Sequence, residues 1–145
     1  MTTAIPEDFE EWMAFIAAHL GTRTSHDLEP GGSVYLTGGD PPLVVVRLTR
    51  NIITVWEYAA AWNDADALVP APIRIGAIAW RRLPPPAARS AIAALIDAAR
   101  ESRLSTFAVC RFCARRIAPE WLHEDDVCQD CATEHLGVVY GGRRR

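Results

Sequence analysis

The sequence has no lysine: all fifteen basic residues are arginine, and alanine is abundant, a composition typical of a GC-rich genome that carries no mechanistic information. It has no apolar run approaching the roughly 20 residues that a bilayer helix needs, so no membrane partner is expected. The opening Met1-Thr2-Thr3-Ala4-Ile5-Pro6-Glu7-Asp8 is acidic where a secretory signal is basic. A cytoplasmic location, where thiols stay reduced, is therefore expected. The glycine pairs at 31–32 and 38–39 lack both the Gly-Lys-Ser/Thr of a phosphate cradle and the Gly-x-Gly-x-x-Gly of a dinucleotide site, so nucleotide chemistry has no support. A broad basic face is missing too. The net charge is −3, residues 1–32 carry six acids against the single Arg23, and only local patches such as Arg81-Arg82 and the terminal Arg143-Arg144-Arg145 offer charge to a phosphate backbone.

Within 145 residues, 50% of them apolar and 23% charged, there is room for one soluble domain with a real core and a small appendage. The pattern predicts an α+β body over residues 1–105 and a zinc finger with a short basic tail over residues 106–145. Residues 6–20 read as a helix. Pro6 suits its first turn, acids cluster at its positive end, and Phe9, Trp12, Met13, Ile16 and Leu20 form one apolar stripe. Phe15 lies off that stripe, at the edge of a core face or against a partner, and His19 falls at the negative end of the helix dipole. Turn formers over 21–32 predict a loop.

About four antiparallel strands should follow: 34–36, 43–49, 52–58 and 73–80, with 59–71 as a loop or short helical turn. In the last strand Ile73, Ile75, Ala77 and Ala79 are expected on one face and Arg74, Gly76, Ile78 and Trp80 on the other. Trp56, Trp62 and Trp80 are read as core, with a ligand-receiving sheet face as the alternative. After Pro84-Pro85-Pro86 a long helix over 87–104, with Ala88, Ile92, Leu95, Ile96 and Ala99 on one stripe, should pack on the sheet. A short strand over 105–109 then delivers the first cysteines.

Every cysteine lies in Cys110-Arg111-Phe112-Cys113, fourteen residues, then Cys128-Gln129-Asp130-Cys131. Two Cys-x-x-Cys turns can each fold two thiolates onto one ion, and four soft thiolates complete a closed tetrahedral shell for Zn²⁺. The expected site is a structural zinc on Cys110, Cys113, Cys128 and Cys131. Two disulfides or a dithiol redox switch are the rival readings. Arg111, Arg115 and Arg116 are expected near the sulfurs, Glu120, Glu124, Asp125, Asp126, Asp130 and Glu134 around them, and His123 and His135 on the surface.

The first pair looks like a knuckle at the head of a β-hairpin, and Cys131 falls in the first turn of a short helix, a treble-clef arrangement. With Pro119-Glu120-Trp121 after the second cysteine, residues 110–136 resemble the GATA-type zinc finger. They are also similar to the DksA/TraR type in having Ile117 four residues after Cys113. The resemblance implies the metal ligands and the topology. It does not extend to DNA recognition: the linker is shorter, Leu122-His123-Glu124-Asp125-Asp126 stands where the GATA type has arginines, and the helix carries Asp130 and Glu134.

Three functions are open on these residues. The first is a small non-catalytic binding or regulatory protein that contacts another protein. The second is a zinc-finger nucleic-acid regulator, and the third an enzyme using residues such as His26, Tyr35 or Asp64, with His26-Asp27 as a possible pair.

Overall fold

The structure is a computed structural model that describes residues 7–21 and 23–140. Pro6 and Arg143-Arg144-Arg145, singled out above, lie outside the described residues. The first helix, α1, spans Glu7–Leu20. Its stripe is where the spacing puts it: Phe9, Trp12, Ile16 and Leu20 are buried, with Met13 and Phe15 partly buried against the same core. Phe15 is thus the edge of a wide core face. His19 does more than sit at a dipole end, since its Nε2 lies 3.1 Å from the Asp97 carboxylate on the second helix.

Five strands, not four, build the main sheet. They are β1 (Thr24–Leu28), β2 (Val34–Gly38), β3 (Val44–Leu48) and β4 (Ile53–Glu57), followed, after a separate hairpin of β5 (Ala60–Trp62) and β6 (Leu68–Pro70), by β7 (Ile73–Ile78). The sheet is antiparallel in the order β1-β2-β3-β4-β7. β1 replaces the expected loop. Its Thr-Ser-His-Asp-Leu has no apolar alternation because it is an edge strand, held by its ladder to β2 and largely exposed. The hairpin replaces the second expected loop: the Asn63 side-chain oxygen accepts from Ala65 N at 2.9 Å and Ala67 N at 3.0 Å, bracketing a tight turn.

In β2, β3 and β4 alternate residues face the core, so Val34, Leu36, Val44, Val46, Leu48, Ile53 and Val55 are buried. The expected alternation of the last strand fails at a β-bulge, where Val55 pairs with Gly76 but Trp56 with Arg74. Gly76 and Ile78 therefore turn toward the helices, while Ala77 opposes Thr54 on the open face. The second helix packs tightly on Gly76; a Cβ there would stand 2.9 Å from Leu95 Cδ2. Trp80 belongs to a 3₁₀ turn, Trp80–Arg82, rather than to the strand. Its ring is buried against Trp12, and its indole N–H donates to the Thr49 carbonyl at 3.1 Å.

The second helix, α2, spans Pro85–Ser105. It begins two residues before the expected start because prolines in a first turn need no N–H partner. Ala88, Ile92, Ile96 and Ala99 are fully buried, and α2 lies over β3, β4 and β7 beside α1. Both helices cover the same face of the sheet. Among the described residues no helix is long and apolar enough to cross a membrane.

The C-terminal segment folds as two short hairpins, β8 (Ala108–Val109) with β9 (Arg116–Ile117) and β10 (Leu122–His123) with β11 (Val127–Cys128), followed by α3 (Gln129–Leu136). Its own small core holds Cys110, Ile117, Val127, Cys128, Cys131 and Ala132. A buried ion pair joins it to the rest. The α2 stripe continues four residues past Ala99 to Arg103, whose side chain is 1% exposed and whose partner Glu120 is 2% exposed. The two make a bidentate contact at 3.0 and 2.5 Å. Arg103 Nε also donates to the Pro42 carbonyl at 3.1 Å, and the guanidinium lies over the rings of Tyr58 and Phe107, 5.2 and 5.0 Å from their centroids. The Glu120 carbonyl accepts from the Trp62 indole at 2.7 Å and from Gln129 Nε2 at 3.3 Å, while Trp62 meets Trp121 edge to face. Of the three tryptophans read as core, Trp80 is in the main core, Trp56 lies on the open sheet face, and Trp62 forms this joint.

Removing one member of a buried pair strands the other charge. Arg103→Met and Glu120→Ala should each lower the unfolding free energy by about 3 to 5 kcal/mol, while Arg103→Met combined with Glu120→Leu recovers most of the loss. Urea denaturation of the three variants checks this; single variants as stable as the parent would show that the pair carries no weight.

Candidate metal centre

Cys110 and Cys113 occupy the turn between β8 and β9, held by short backbone contacts: Cys110 N donates to Arg115 O at 2.9 Å, and Ala114 N to Cys110 O at 2.8 Å. Ala114 takes a left-handed conformation (φ 60°) to close that turn. Arg111 N donates to Asp126 O at 2.9 Å, which fixes the first hairpin to the turn of the second. Cys128 ends β11 and serves as the N-cap of α3, its sulfur accepting from Cys131 N at 3.4 Å where a hydroxyl or carboxylate oxygen is the common acceptor. Cys131 is then carried in the first helical turn.

The four sulfurs lie within 4.8 Å of one another, and Cys113 and Cys128 are 3.9 Å apart. A tetrahedron with metal–sulfur bonds of about 2.3 Å has edges of roughly 3.8 Å. A disulfide needs about 2.05 Å, and all four cysteines are free thiols. The protonation chemistry also fits a cation. Burial resists ionisation of Cys110, yet backbone N–H groups of Cys128, Cys113 and Phe112 draw its thiol down to about 6. The Arg115 side chain lowers Cys113. Burial and the neighbouring sulfurs push Cys131 up. Four crowded thiols cannot all ionise without positive charge among them; a divalent cation supplies it.

Of the three arginines expected near the sulfurs, one is there: Arg115 Nε donates to Cys113 Sγ at 3.5 Å. Arg111 lies over the Phe112 ring, and Arg116 donates to the Leu104 carbonyl at 3.0 Å near the end of α2. His123 approaches Glu124 at 3.9 Å, and His135 stacks on Phe112 at 4.5 Å, so neither joins the sulfur cluster. Glu120, expected among the acids around the sulfurs, is instead buried against Arg103. Arg103 was not among the expected functional residues, and Trp62, expected in the core, is at this joint. The available signal was an arginine on the buried side of the α2 stripe and an acid between the cysteine pairs, a combination that suggests a pair only once both are known to be buried.

Of the residues considered for catalysis, the β1–β2 ladder sets Asp27 opposite Tyr35 but keeps His26 away from both. His26 pairs with Leu36 and Asp27 with Tyr35 across the β1–β2 ladder, so His26 and Tyr35 point to opposite faces of the sheet. Asp64 sits in the turn of the β5–β6 hairpin.

Metal binding here displaces protons, because the bound sulfurs are thiolates while burial and the neighbouring sulfurs favour the protonated thiol at Cys131. Affinity for a thiophilic divalent ion should therefore fall as pH falls, steeply once Cys110 also reprotonates below about 6. Competition against a chromophoric chelator over a pH series measures it; a pH-independent affinity would exclude thiolate ligation.

No protein-family model matches the chain, and neither a curated protein nor a solved structure matches it.

Proposed function

We propose that this chain is a small non-catalytic binding or regulatory protein, acting through protein–protein contacts and stabilised by a structural zinc ion on Cys110, Cys113, Cys128 and Cys131. The observation that carries the reading is the four-sulfur cluster, gathered from two Cys-x-x-Cys turns. Four protein ligands fill a tetrahedral zinc shell and leave no position for water or substrate, the mark of structural rather than catalytic zinc. Thiolate softness favours zinc over magnesium or calcium. The hairpin carrying the first pair, the second hairpin, and the helix carrying the last ligand support a treble-clef finger over residues 106–145, attached to an α+β body over residues 1–105. Reduced thiols suit a cytoplasmic setting.

A nucleic-acid role is less well supported. Asp130 and Glu134 are exposed on α3, where phosphate contact would call for arginine. Arg81 is already engaged by Asp8 at 3.6 Å and by the Arg50 carbonyl at 2.6 Å.

Protein purified under reducing conditions should carry one zinc per chain. Chelation should unfold residues 106–140 first, seen as early loss of amide-exchange protection there, and Cys113→Ser or Cys128→Ser should lower Tm. Metal-free protein by elemental analysis, or melting unchanged by a chelator, would overturn the zinc reading. Affinity purification from the native host with mass spectrometry of both protein and nucleic acid tests the partner class. Recovery of nucleic acid, with a gel shift that weakens steeply with salt, would replace the protein-binding reading.

A further inference from the structure

One end of the body gathers arginines from three elements. The β3–β4 turn brings Arg50, the 3₁₀ turn after β7 brings Arg81 and Arg82, and the first turns of α2 bring Arg89. Contacts link Arg50, Arg81 and Arg89 into one surface, and Arg82 adjoins Arg81 in the 3₁₀ turn. Arg81 Nε donates to the Arg50 carbonyl at 2.6 Å, and its guanidinium lies over the Trp80 ring at 4.6 Å. Trp80 meets Trp12 at 5.6 Å, and Arg89 lies over Trp12 and Phe15 at 5.8 and 5.9 Å. Two guanidiniums are thus laid on a bridge of aromatic rings, which limits the rotamers of both and lowers the ordering cost of binding.

Of the four, only Arg81 is ion-paired among the described residues. Asp8 approaches Arg81 at 3.6 Å, but Arg50, Arg82 and Arg89 make no ion pair among the described residues. In a chain of net charge −3 this concentrates positive charge on one end. Apolar side chains share the surface: Ile52, 44% exposed, is in the turn with Arg50, and Leu83, 40% exposed, follows Arg82.

We infer that this end docks an acidic segment of a partner protein, with carboxylates on the arginines and aliphatic side chains against Ile52 and Leu83. The inference rests on the protein-binding reading above and names its surface. Nucleic acid fits less well, because Trp12 and Trp80 are buried beneath the arginines and offer no face to a base, while phosphates would lie against Ile52 and Leu83.

Fluorescence anisotropy on the zinc-loaded full chain tests it. The probes are a labelled glutamate-rich peptide with interspersed leucines, a glutamate-only peptide, and single-stranded and duplex DNA of equal net charge. The leucine-containing peptide should bind saturably and more tightly than the other probes, and weaken about tenfold in Arg50→Glu or Arg82→Glu. Arg23→Glu, which changes net charge equally but lies just before β1, should bind it as the parent does. Absence of saturable peptide binding, an equal loss in Arg23→Glu, tighter binding of DNA, or salt-sensitive self-association through this end would each overturn the inference. So would a host protein captured equally well by the parent and by Arg50→Glu/Arg82→Glu; that last result leaves the protein-binding reading standing.

Discussion

The contact on which the architecture turns is the bidentate pair between Arg103 and Glu120. Taking both charges out of water is costly, and their attraction offsets that cost only if the remaining hydrogen-bonding capacity is met. Here it largely is: Pro42 supplies a carbonyl to the guanidinium, and two rings flank it. Glu120 stands in the 3₁₀ turn Pro119–Trp121, between the two cysteine pairs, and its carbonyl holds the tip of a hairpin that branches off the main sheet. One short turn therefore fixes three things at once: the end of α2, the β5–β6 arm and the C-terminal segment. An apolar pair could supply similar stability with far less directionality. The ionic version admits one orientation, which is what a segment with so small a core requires to sit in one place.

That smallness makes the sulfur cluster consequential. Residues 106–140 contribute a core of six buried residues, three of them cysteines. Fewer than about 40 residues seldom bury enough apolar surface to fold without disulfides, metal or a partner. The thiols are free, so a metal and the packing against the body are the two supports available. They meet in the turn between the cysteine pairs, where the Glu120 carboxylate holds Arg103 and its carbonyl accepts from Gln129 at the start of the ligand-bearing helix.

How far the fold could be read in advance follows from how local each signal is. The stripes of α1 and α2 and the core faces of β2, β3 and β4 are written in consecutive side chains, and each lay where periodicity put it. The cysteine spacing carries its own geometry, and the four sulfurs do meet. What escaped lacked a local hydrophobic signature. β1 is polar because an edge strand held by backbone pairing has no need of apolar side chains. The β5–β6 hairpin is specified by Asn63 and by Trp62 reaching a carbonyl 58 residues away. The bulge in β7 is a backbone event that periodicity cannot register, and it is what puts Arg74 and Gly76, expected on one face, on opposite faces of the sheet. Arg103 looks like one more surface arginine until the chain that buries it is in place.

Charge is sorted along the molecule in a way that follows from these constraints. The C-terminal segment is ringed with exposed acids, and of its nearby arginines Arg115 is spent on Cys113 and Asp130 and Arg111 on Asp126. A phosphate approaching that segment would meet thiolate-derived and carboxylate charge together, with little free guanidinium to offset either. Arg50, Arg82 and Arg89, which make no ion pair among the described residues, sit instead toward the other end of α2 from Arg103. Along a single helix, then, one terminus uses its arginine for internal order and the other leaves its cations open to solvent. The same residue type serves both ends because burial decides the role: a guanidinium sealed by Tyr58, Phe107 and Glu120 can only hold the fold together, and an exposed one with no ion pair, as at Arg50 and Arg82, stays available to a partner.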